Sequence, residues 1–157
     1  MWCWACCAGD TYASELGILS KSPPRMVTKL WKVAQPGTNG GVSALGAVAS
    51  AGGGITMGLC HAAFLLPPSL REAAALMYVG LLAGVGGSLL DSLLGATVQA
   101  SYYDEERKRI VRKPTATTRH VSGLPILSNE MVNFVSTALV ALAAYAAPRL
   151  LLLRFAT

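Results

Sequence analysis

The residues of this chain that could do chemistry fall into four polar segments. One of them surrounds Asp91, which lies inside an apolar run extending from residue 73 to residue 99. A carboxylate in such a run costs about 3 kcal/mol on membrane-insertion scales. We therefore expect Asp91, with Ser88, Ser92 and Gln99, to face protein groups, water or a bound ion. A hydrogen-bond network between helices, with the aspartate protonated, is the alternative.

A second segment places carboxylates near the start of the chain. It carries Asp10, Ser14 and Glu15, and in a helix the first two would share a face because they are four residues apart. Carboxylate oxygens are ligands for Mg²⁺. The sequence predicts Asp10, Glu15 and Asp91 as metal ligands, and the alternative for Asp10 is a helix cap.

The remaining two segments offer groups for phosphate. The turn Gly37, Thr38, Asn39, Gly40 and Gly41 directly precedes an apolar run, where free amides and a helix dipole can hold an anion. The segment from 113 to 123 brings cations close to hydroxyls and is followed by two asparagines. Its candidate residues are Lys113, Arg119 and His120. The alternatives are a turn that only starts a helix and an ordinary basic loop.

Three apolar runs must position these segments. Residues 40–66, 73–99 and 131–153 are each long enough to cross a bilayer as a helix. The chain has 157 residues, 53% of them hydrophobic and 13% charged, with a mean hydropathy of +0.47. These values are typical of membrane proteins. We predict an all-α fold, a polytopic helical membrane protein with about three spans in one domain, residues 1–157, joined by loops 10–39 and 100–130.

The placement of charge sets the predicted orientation. Most of the 13 Lys and Arg residues lie in the loops 10–39 and 100–130, which the positive-inside rule assigns to the cytoplasm. All four polar segments then meet on or near one side of the membrane. The net charge of +5 follows from this topology, so nucleic acid is not predicted as a partner. The lipid bilayer is the predicted partner, and the residues indicate neither the organelle nor the oligomeric state.

Small residues recur every four positions in two of the predicted spans. The first carries Gly46, Ser50, Gly54 and Gly58, and the second carries a stripe from Gly80 to Ser92. Such stripes let membrane helices approach at close range. The second stripe lies on nearly the same face as Asp91, so the packing face and the polar face should coincide.

Together these residues suit phosphoryl transfer to a membrane-embedded substrate. The carboxylates would hold a metal ion, the glycine turn and the cations would hold phosphates, and the apolar helices would hold a lipid tail. Mg²⁺ and a nucleoside triphosphate are the expected cofactors. The alternative is an ion- or proton-coupled transporter or a non-catalytic membrane scaffold, in which Asp91 lies on an ion pathway. The residues alone leave it open whether the protein is an enzyme.

Four motifs in order resemble those of the transmembrane protein 19 family. They are Gly9-Asp-Thr-Tyr-Ala-Ser-Glu-Leu-Gly17, Gly37-Thr-Asn-Gly-Gly-Val42, Gly87-Ser-Leu-Leu-Asp-Ser-Leu-Leu-Gly-Ala-Thr-Val-Gln99, and Arg119-His-Val-Ser-Gly-Leu-Pro-Ile-Leu-Ser-Asn129 with Val132-Asn133. The similarity runs from about Cys7 to the third span, which is the C-terminal half of a typical member. We therefore expect this chain to be part of a larger bundle. Tyr12 and Ser128 depart from the family pattern, which usually has tryptophan and aspartate there.

The resemblance implies a more specific activity. The family includes the plant phytyl-phosphate kinase, so this chain is expected to be an isoprenyl-phosphate kinase-like transferase. Asp10, Glu15 and Asp91 would then bind Mg²⁺, and the Gly37–Gly41 turn with Arg119 would hold nucleotide phosphates. Lys113 and His120 would stabilise charge, and the apolar helices would hold the isoprenoid.

Overall fold

The computed structural model describes residues 1–64 and 69–155, with side chains described as far as residue 146. Helices dominate these ranges, and short strands occupy two of the connections between them. The elements in chain order are α1 (Trp2–Gly17), β1 (Arg25–Met26), β2 (Lys29–Val33), β3 (Gly41–Val42), α2 (Ala44–Ala63), α3 (Leu70–Val98), β4 (Ser101–Asp104), β5 (Arg109–Val111), β6 (Thr118–Ser122) and α4 (Asn129–Phe155).

Serine caps move the starts of two helices away from the predicted span boundaries. Helix α2 begins at Ala44 rather than residue 40, because the Ser43 hydroxyl accepts the Gly46 N–H at 3.0 Å. Helix α3 begins at Leu70 rather than residue 73, since Ser69 and Glu72 form a reciprocal capping box. Residues 65–68, including the predicted end of the first span, lie outside the described residues.

Glycines bring α1, α2 and α3 into close contact. All four members of the first predicted stripe are buried in α2, and Gly54 faces Gly80 and Gly84 of α3. A Cβ added to Gly54 would lie 2.9 Å from the carbonyl carbon of Gly80. A Cβ on Gly9 of α1 would lie 2.6 Å from Cα of the same Gly84. The prediction of glycine-mediated helix packing is confirmed.

The predicted all-α fold is wrong in both connecting segments, because strands are present there. The segment 10–39 begins inside helix α1, which extends to Gly17, and continues into an antiparallel sheet of order β2-β1-β3. The segment 100–130 holds a second antiparallel sheet of order β5-β4-β6. Pairing between strands satisfies backbone groups that a simple loop would leave to water.

The connectivity gathers four helix termini and both sheets at one end of the bundle. Helices α1 and α3 end where α2 and α4 begin, and each sheet fills one of these connections. The opposite end holds the α2–α3 connection. The prediction that the polar segments share one side of the bundle requires successive helices to run in opposite directions. The order of the helices and sheets agrees with this requirement.

Helix α3 is the membrane-span candidate of the described chain. Within Leu70–Val98 an 18-residue window has a mean hydropathy of 1.8, and the helix meets the length and composition expected of a crossing helix. Helices α2 and α4 coincide with the other two predicted spans and lie against α3. Large apolar side chains face outward on all three, including Val48 at 70% exposure, Tyr78 at 61% and Phe134 at 68%.

Asp104 closes the turn between β4 and β5. Its Oδ1 accepts the backbone N–H groups of Arg107 and Glu106, each at 3.0 Å, and the Thr117 hydroxyl at 3.3 Å. These three donors, of which the Arg107 N–H has the largest effect, hold the pKa of Asp104 below its ordinary value.

This depressed pKa predicts an acid-sensitive turn. The ionised form stabilises the folded turn above the unfolded pKa of about 3.9, and the contribution is lost as pH falls through the lower folded pKa. Hydrogen exchange at Glu106 and Arg107, corrected for intrinsic rates, should show protection at pH 6 that declines below about pH 4. Asp104→Ala, which has no side-chain acceptor, should remove this protection at both values, whereas Glu106→Gln, on an exposed side chain, should not. Equal protection in Asp104→Ala would contradict the assignment.

Candidate functional site

A cavity of about 690 Å³ opens at the end of the bundle where both sheets lie. Residues from all four helices and from both connecting segments line it. Its polar lining comprises Asp10, Thr11, Ser14, Glu15, Ser20, Lys21, Ser22, Thr38, Asn39, Ser43, Ser50, Ser88, Asp91, Ser92, Gln99, Arg112, Asn129 and Asn133, beside the glycines of the 37–41 turn. Three of the four predicted polar segments therefore converge on one cavity.

Asp91 lies two turns before the end of α3 and is hydrogen-bonded to α4. Its Oδ2 accepts the Ser136 hydroxyl at 2.9 Å. With its amide nitrogen directed towards Asp91, Asn133 donates to the same oxygen at 3.1 Å and to the Asn129 carbonyl at 3.1 Å. Gln99 Nε2 in turn donates to Asn129 Oδ1 at 3.4 Å. Hydrogen bonds from α4 thus hold the Asp91 carboxylate in an interhelical network. The same residue also lines the cavity.

Asp10 reaches the same cavity from α1. It lies in the middle of that helix, so the alternative prediction that it caps a helix is wrong. Its Oδ1 accepts the Ser88 hydroxyl of α3 at 3.4 Å. Asp10 is half-buried and close enough to Asp91 for their charges to interact. Two carboxylates that are 81 positions apart therefore share one wall of the cavity.

Glu15 stands apart from these two carboxylates. It lines the cavity but is exposed to solvent. Among the side chains that the structure describes, no cluster of three or more His, Cys, Asp or Glu residues is close enough to hold one metal ion. The prediction of a three-carboxylate site is therefore narrowed to the pair Asp10 and Asp91, with hydroxyl oxygens of Ser88 and Ser92 nearby.

The Gly37–Gly41 turn is held firmly against the end of α3. Gly37 and Gly40 have φ values of +83° and +80°, which favour glycine, and a Cβ on Gly40 would collide with Ala96. The amides of Thr38, Asn39 and Gly41 already donate to Gln35 O, Ser101 Oγ and Thr38 O. Within the described chain, the amides of Gly37 and Gly40 have no hydrogen-bond partner, so the turn has at most two backbone donors left for a ligand rather than five.

Thr38 adds an unusual group to this turn. The residue is only 5% exposed, and its hydroxyl oxygen has no hydrogen-bond partner within the described part of the protein. A buried hydroxyl without a partner costs free energy. Thr38 also lines the cavity, so this group belongs to the site.

The fourth predicted segment does not line the cavity. Arg119 on β6 pairs with Glu105 Oε1 at 2.8 Å and lies over the ring of Tyr103. The His120 ring contacts the Gly123 carbonyl oxygen at 2.6 Å and packs edge-on against Tyr102. Lys113 is exposed and also lies outside the cavity lining. The structure thus engages Arg119 and His120 in the second sheet instead of the site.

Two cations that were not predicted from the sequence as site residues line the cavity. Arg112 follows β5 and forms an exposed ion pair with Glu130 of α4 at 3.8 Å, while Lys21 follows α1. Both belong to the basic loops, where cations are ordinary, so their residue type gave no signal. Arg112, which directly follows β5, lines the cavity, and its neighbour Lys113 does not.

Comparison with known proteins gives the following matches. Residues 1–141 match a family model described as integral membrane protein DUF92. The chain is 44% identical over 142 residues to Protein PGR of Arabidopsis thaliana, which covers 87% of this chain and 49% of that protein. It is 32% identical over 133 residues to the uncharacterized membrane protein MJ0933 of Methanocaldococcus jannaschii, covering 85% and 43%. The chain spans about half the length of these curated relatives. No solved structure matches it significantly.

Proposed function

Because the chain belongs to the DUF92 family of integral membrane proteins, we propose that its cavity is the site of a membrane-embedded phosphotransferase acting on an isoprenyl phosphate. The reaction would break the bond between the terminal phosphorus of a nucleoside triphosphate and its bridging oxygen. A new bond would join that phosphorus to an oxygen of the lipid monophosphate. The products are a nucleoside diphosphate and a lipid diphosphate.

One observation carries this proposal. Two carboxylates, a glycine turn with an unpartnered buried hydroxyl, and two cations line a single cavity although they come from distant parts of the sequence. Phosphoryl transfer depends on positioning and on neutralising charge, and it needs few covalent partners from the protein. A cavity of about 690 Å³ also lies within the size range of small-molecule and cofactor sites.

The residues fit a magnesium ion through Asp10 and Asp91. Mg²⁺ is commonly held by one or two carboxylates, with phosphate oxygens and water completing its shell. When bound, it would neutralise charge on the phosphates. Ser136 and Asn133 fix the Asp91 carboxylate, and Ser88 fixes that of Asp10. Both oxygens are therefore oriented before any ligand arrives.

Phosphate groups would be held by the Gly37 and Gly40 amides, the Thr38 hydroxyl and the cations Arg112 and Lys21. The acceptor's apolar tail would follow the α3 wall, where Leu89 lines the cavity and is 44% exposed. In the corresponding topology, α2, α3 and α4 are three spans and both sheets lie in the cytoplasm with the cavity. The narrower kinship with phytyl-phosphate kinases rests on the four motifs.

The direct test is a kinase assay in lipid. This chain, and a longer natural form if one contains it, would be reconstituted with Mg²⁺, several nucleoside triphosphates and isoprenyl monophosphates of different length. Formation of a lipid diphosphate supports the proposal. Absence of product with every pair, from protein whose folding is verified by circular dichroism, contradicts it.

Arg112→Gln should weaken phosphate binding. A charge-assisted contact to phosphate contributes about 1.5–3 kcal/mol, so we expect KM for the nucleotide or the lipid phosphate to rise roughly tenfold or more. The matched control is Arg109→Gln, which removes an exposed cation from the neighbouring strand β5 that does not line the cavity. Equal effects of the two substitutions would show that net charge, rather than the cavity position, is responsible.

A transport function is the second candidate, and a specific set of contacts favours it. Gln99, Asn129, Asn133, Asp91 and Ser136 form a continuous hydrogen-bonded chain between α3 and α4. Such chains mark ion or proton pathways in membrane proteins. Proton or cation flux into liposomes that is lost in Asp91→Asn, with no binding of Mg-nucleotide, would favour transport over phosphoryl transfer.

A further inference from the structure

The hairpin formed by β1 and β2, residues 25–33, projects large apolar side chains into solvent. Trp31 is 78% exposed, Leu30 62% and Val33 54%. All five residues of β2 are exposed, because β2 is an edge strand whose only neighbour is β1. An exposed tryptophan on an edge strand is costly in water, so its surroundings need an explanation.

The same hairpin is basic. Lys29 and Lys32 alternate with the apolar residues of β2 and are exposed, and the described residues provide no ion-pair partner for either. Arg25 donates instead to the Leu30 carbonyl at 2.9 Å, which braces the hairpin. No Asp or Glu occurs between Glu15 and Glu72. The hairpin itself is therefore positive, and neither lysine forms an ion pair with the described residues.

The hairpin lies at the level where the membrane-span candidate ends. Its sheet leads through β3 and Ser43 directly into α2. Met26 of β1 pairs with Gly41, and the neighbouring Gly40 rests against Ala96, two residues before α3 ends at Val98. Exposed Ile18 and Leu19 follow α1 at the same end of the bundle. The hairpin is thus placed at the boundary between the apolar span and water.

We propose that the β1–β2 hairpin binds the anionic phospholipid headgroups of the membrane in which this protein lies. Tryptophan and lysine are the residues that membrane–water interfaces favour, since the indole ring is amphipathic and the lysine stem is apolar. Trp31 enters the headgroup layer together with Val33, which shares its face of β2, and Lys29 and Lys32 contact lipid phosphates. This inference depends on the protein being an integral membrane protein and is independent of the proposed kinase reaction.

Charge complementarity selects anionic lipid over another protein as the occupant. The two free lysines would face a surface of negative potential, and each lysine near such a surface shifts binding roughly fivefold. A neutral bilayer offers the tryptophan its interface but leaves the lysines without partners. Docking of the hairpin should therefore depend on the lipid's charge.

The test uses tryptophan fluorescence of this chain with Trp2 and Trp4 replaced by phenylalanine, which leaves Trp31 as the sole tryptophan. The protein is reconstituted into phosphatidylcholine vesicles with or without phosphatidylglycerol, each carrying lipids brominated either near the headgroup or near the chain end. We expect at least a twofold excess of quenching by the shallow bromine in anionic vesicles over neutral ones, reversed by high salt because exposed charges are screened.

Lys29→Gln with Lys32→Gln should abolish that anionic excess. The matched control, Lys108→Gln with Arg109→Gln, removes the same charge from the β4–β5 turn and should leave it unchanged. Circular dichroism verifies the folding of each variant. If a variant fails to fold, the salt dependence of quenching in the protein with Lys29 and Lys32 intact still tests their role. Equal quenching in neutral and anionic vesicles would overturn the proposal, as would an equal loss in the control pair.

Discussion

Asp91→Asn should reduce phosphorylation of an isoprenyl phosphate about 100-fold or more while leaving the protein folded. Removing one preorganised electrostatic group from an active site costs about that much. The substitution keeps the size of the side chain, and the asparagine oxygen can still accept the Ser136 hydroxyl. It removes the charge that would hold Mg²⁺ beside Asp10. Steady-state kinetics in lipid, with Mg-nucleotide binding measured separately, check the result.

Two further substitutions test whether the effect of Asp91→Asn comes from the loss of its charge and whether Glu15 belongs to the site. Ser136→Ala removes the 2.9 Å hydrogen bond that orients the carboxylate but keeps its charge, so the loss should be smaller, about tenfold. Glu15→Gln removes an exposed carboxylate from the same cavity and should change activity less than about threefold if Asp10 and Asp91 form the site. A loss as large as that of Asp91→Asn would favour the three-carboxylate site and contradict the pair.

Gly54→Ala should destabilise the helix bundle by about 2 kcal/mol or more, because a methyl group that finds no space forces its neighbours apart. The added Cβ would lie against the carbonyl group of Gly80, which is backbone and cannot rotate away. Helices α2 and α3 must therefore separate along their shared glycine face. Thermal unfolding in detergent micelles, followed by circular dichroism, measures the loss.

Gly52→Ala is the matched control in the same helix. A Cβ at Gly52 meets no atom within 4 Å, and alanine is intrinsically favoured over glycine in a helix by about 1 kcal/mol. The control should be neutral or slightly stabilising. Equal stability of the two variants would show that α2 and α3 do not pack through Gly54.

Much of the bundle could be predicted from the sequence. The three apolar runs coincide with α2, α3 and α4 apart from a few residues at their ends, because helix formation in such runs depends on local composition and length. The stripe through Gly54 and the position of Asp91 near one helix end were also predictable. Both follow from the fixed periodicity of a helix.

Other elements could not be predicted because they depend on distant partners. Helix α1 packs Gly9 on Gly84 and Cys6 beside Gly87, contacts between residues that are far apart in sequence. The β4–β6 pairing turns Arg119 and His120 towards Tyr103 and Tyr102. Side chains in a strand alternate between faces, so the register of the sheet decides which aromatic ring each of these two residues meets.

The sequence by itself determined that this is a membrane protein with small-residue helix faces and polar segments at one side, since hydropathy, periodicity and charge placement are local properties. Only the tertiary structure decided which polar groups share a site. It joined Asp10 to Asp91, left Glu15 exposed, used three amides of the Gly37–Gly41 turn internally, and placed Arg112 at the cavity in place of Arg119. These outcomes depend on helix contacts and strand register, which arise when the whole chain packs.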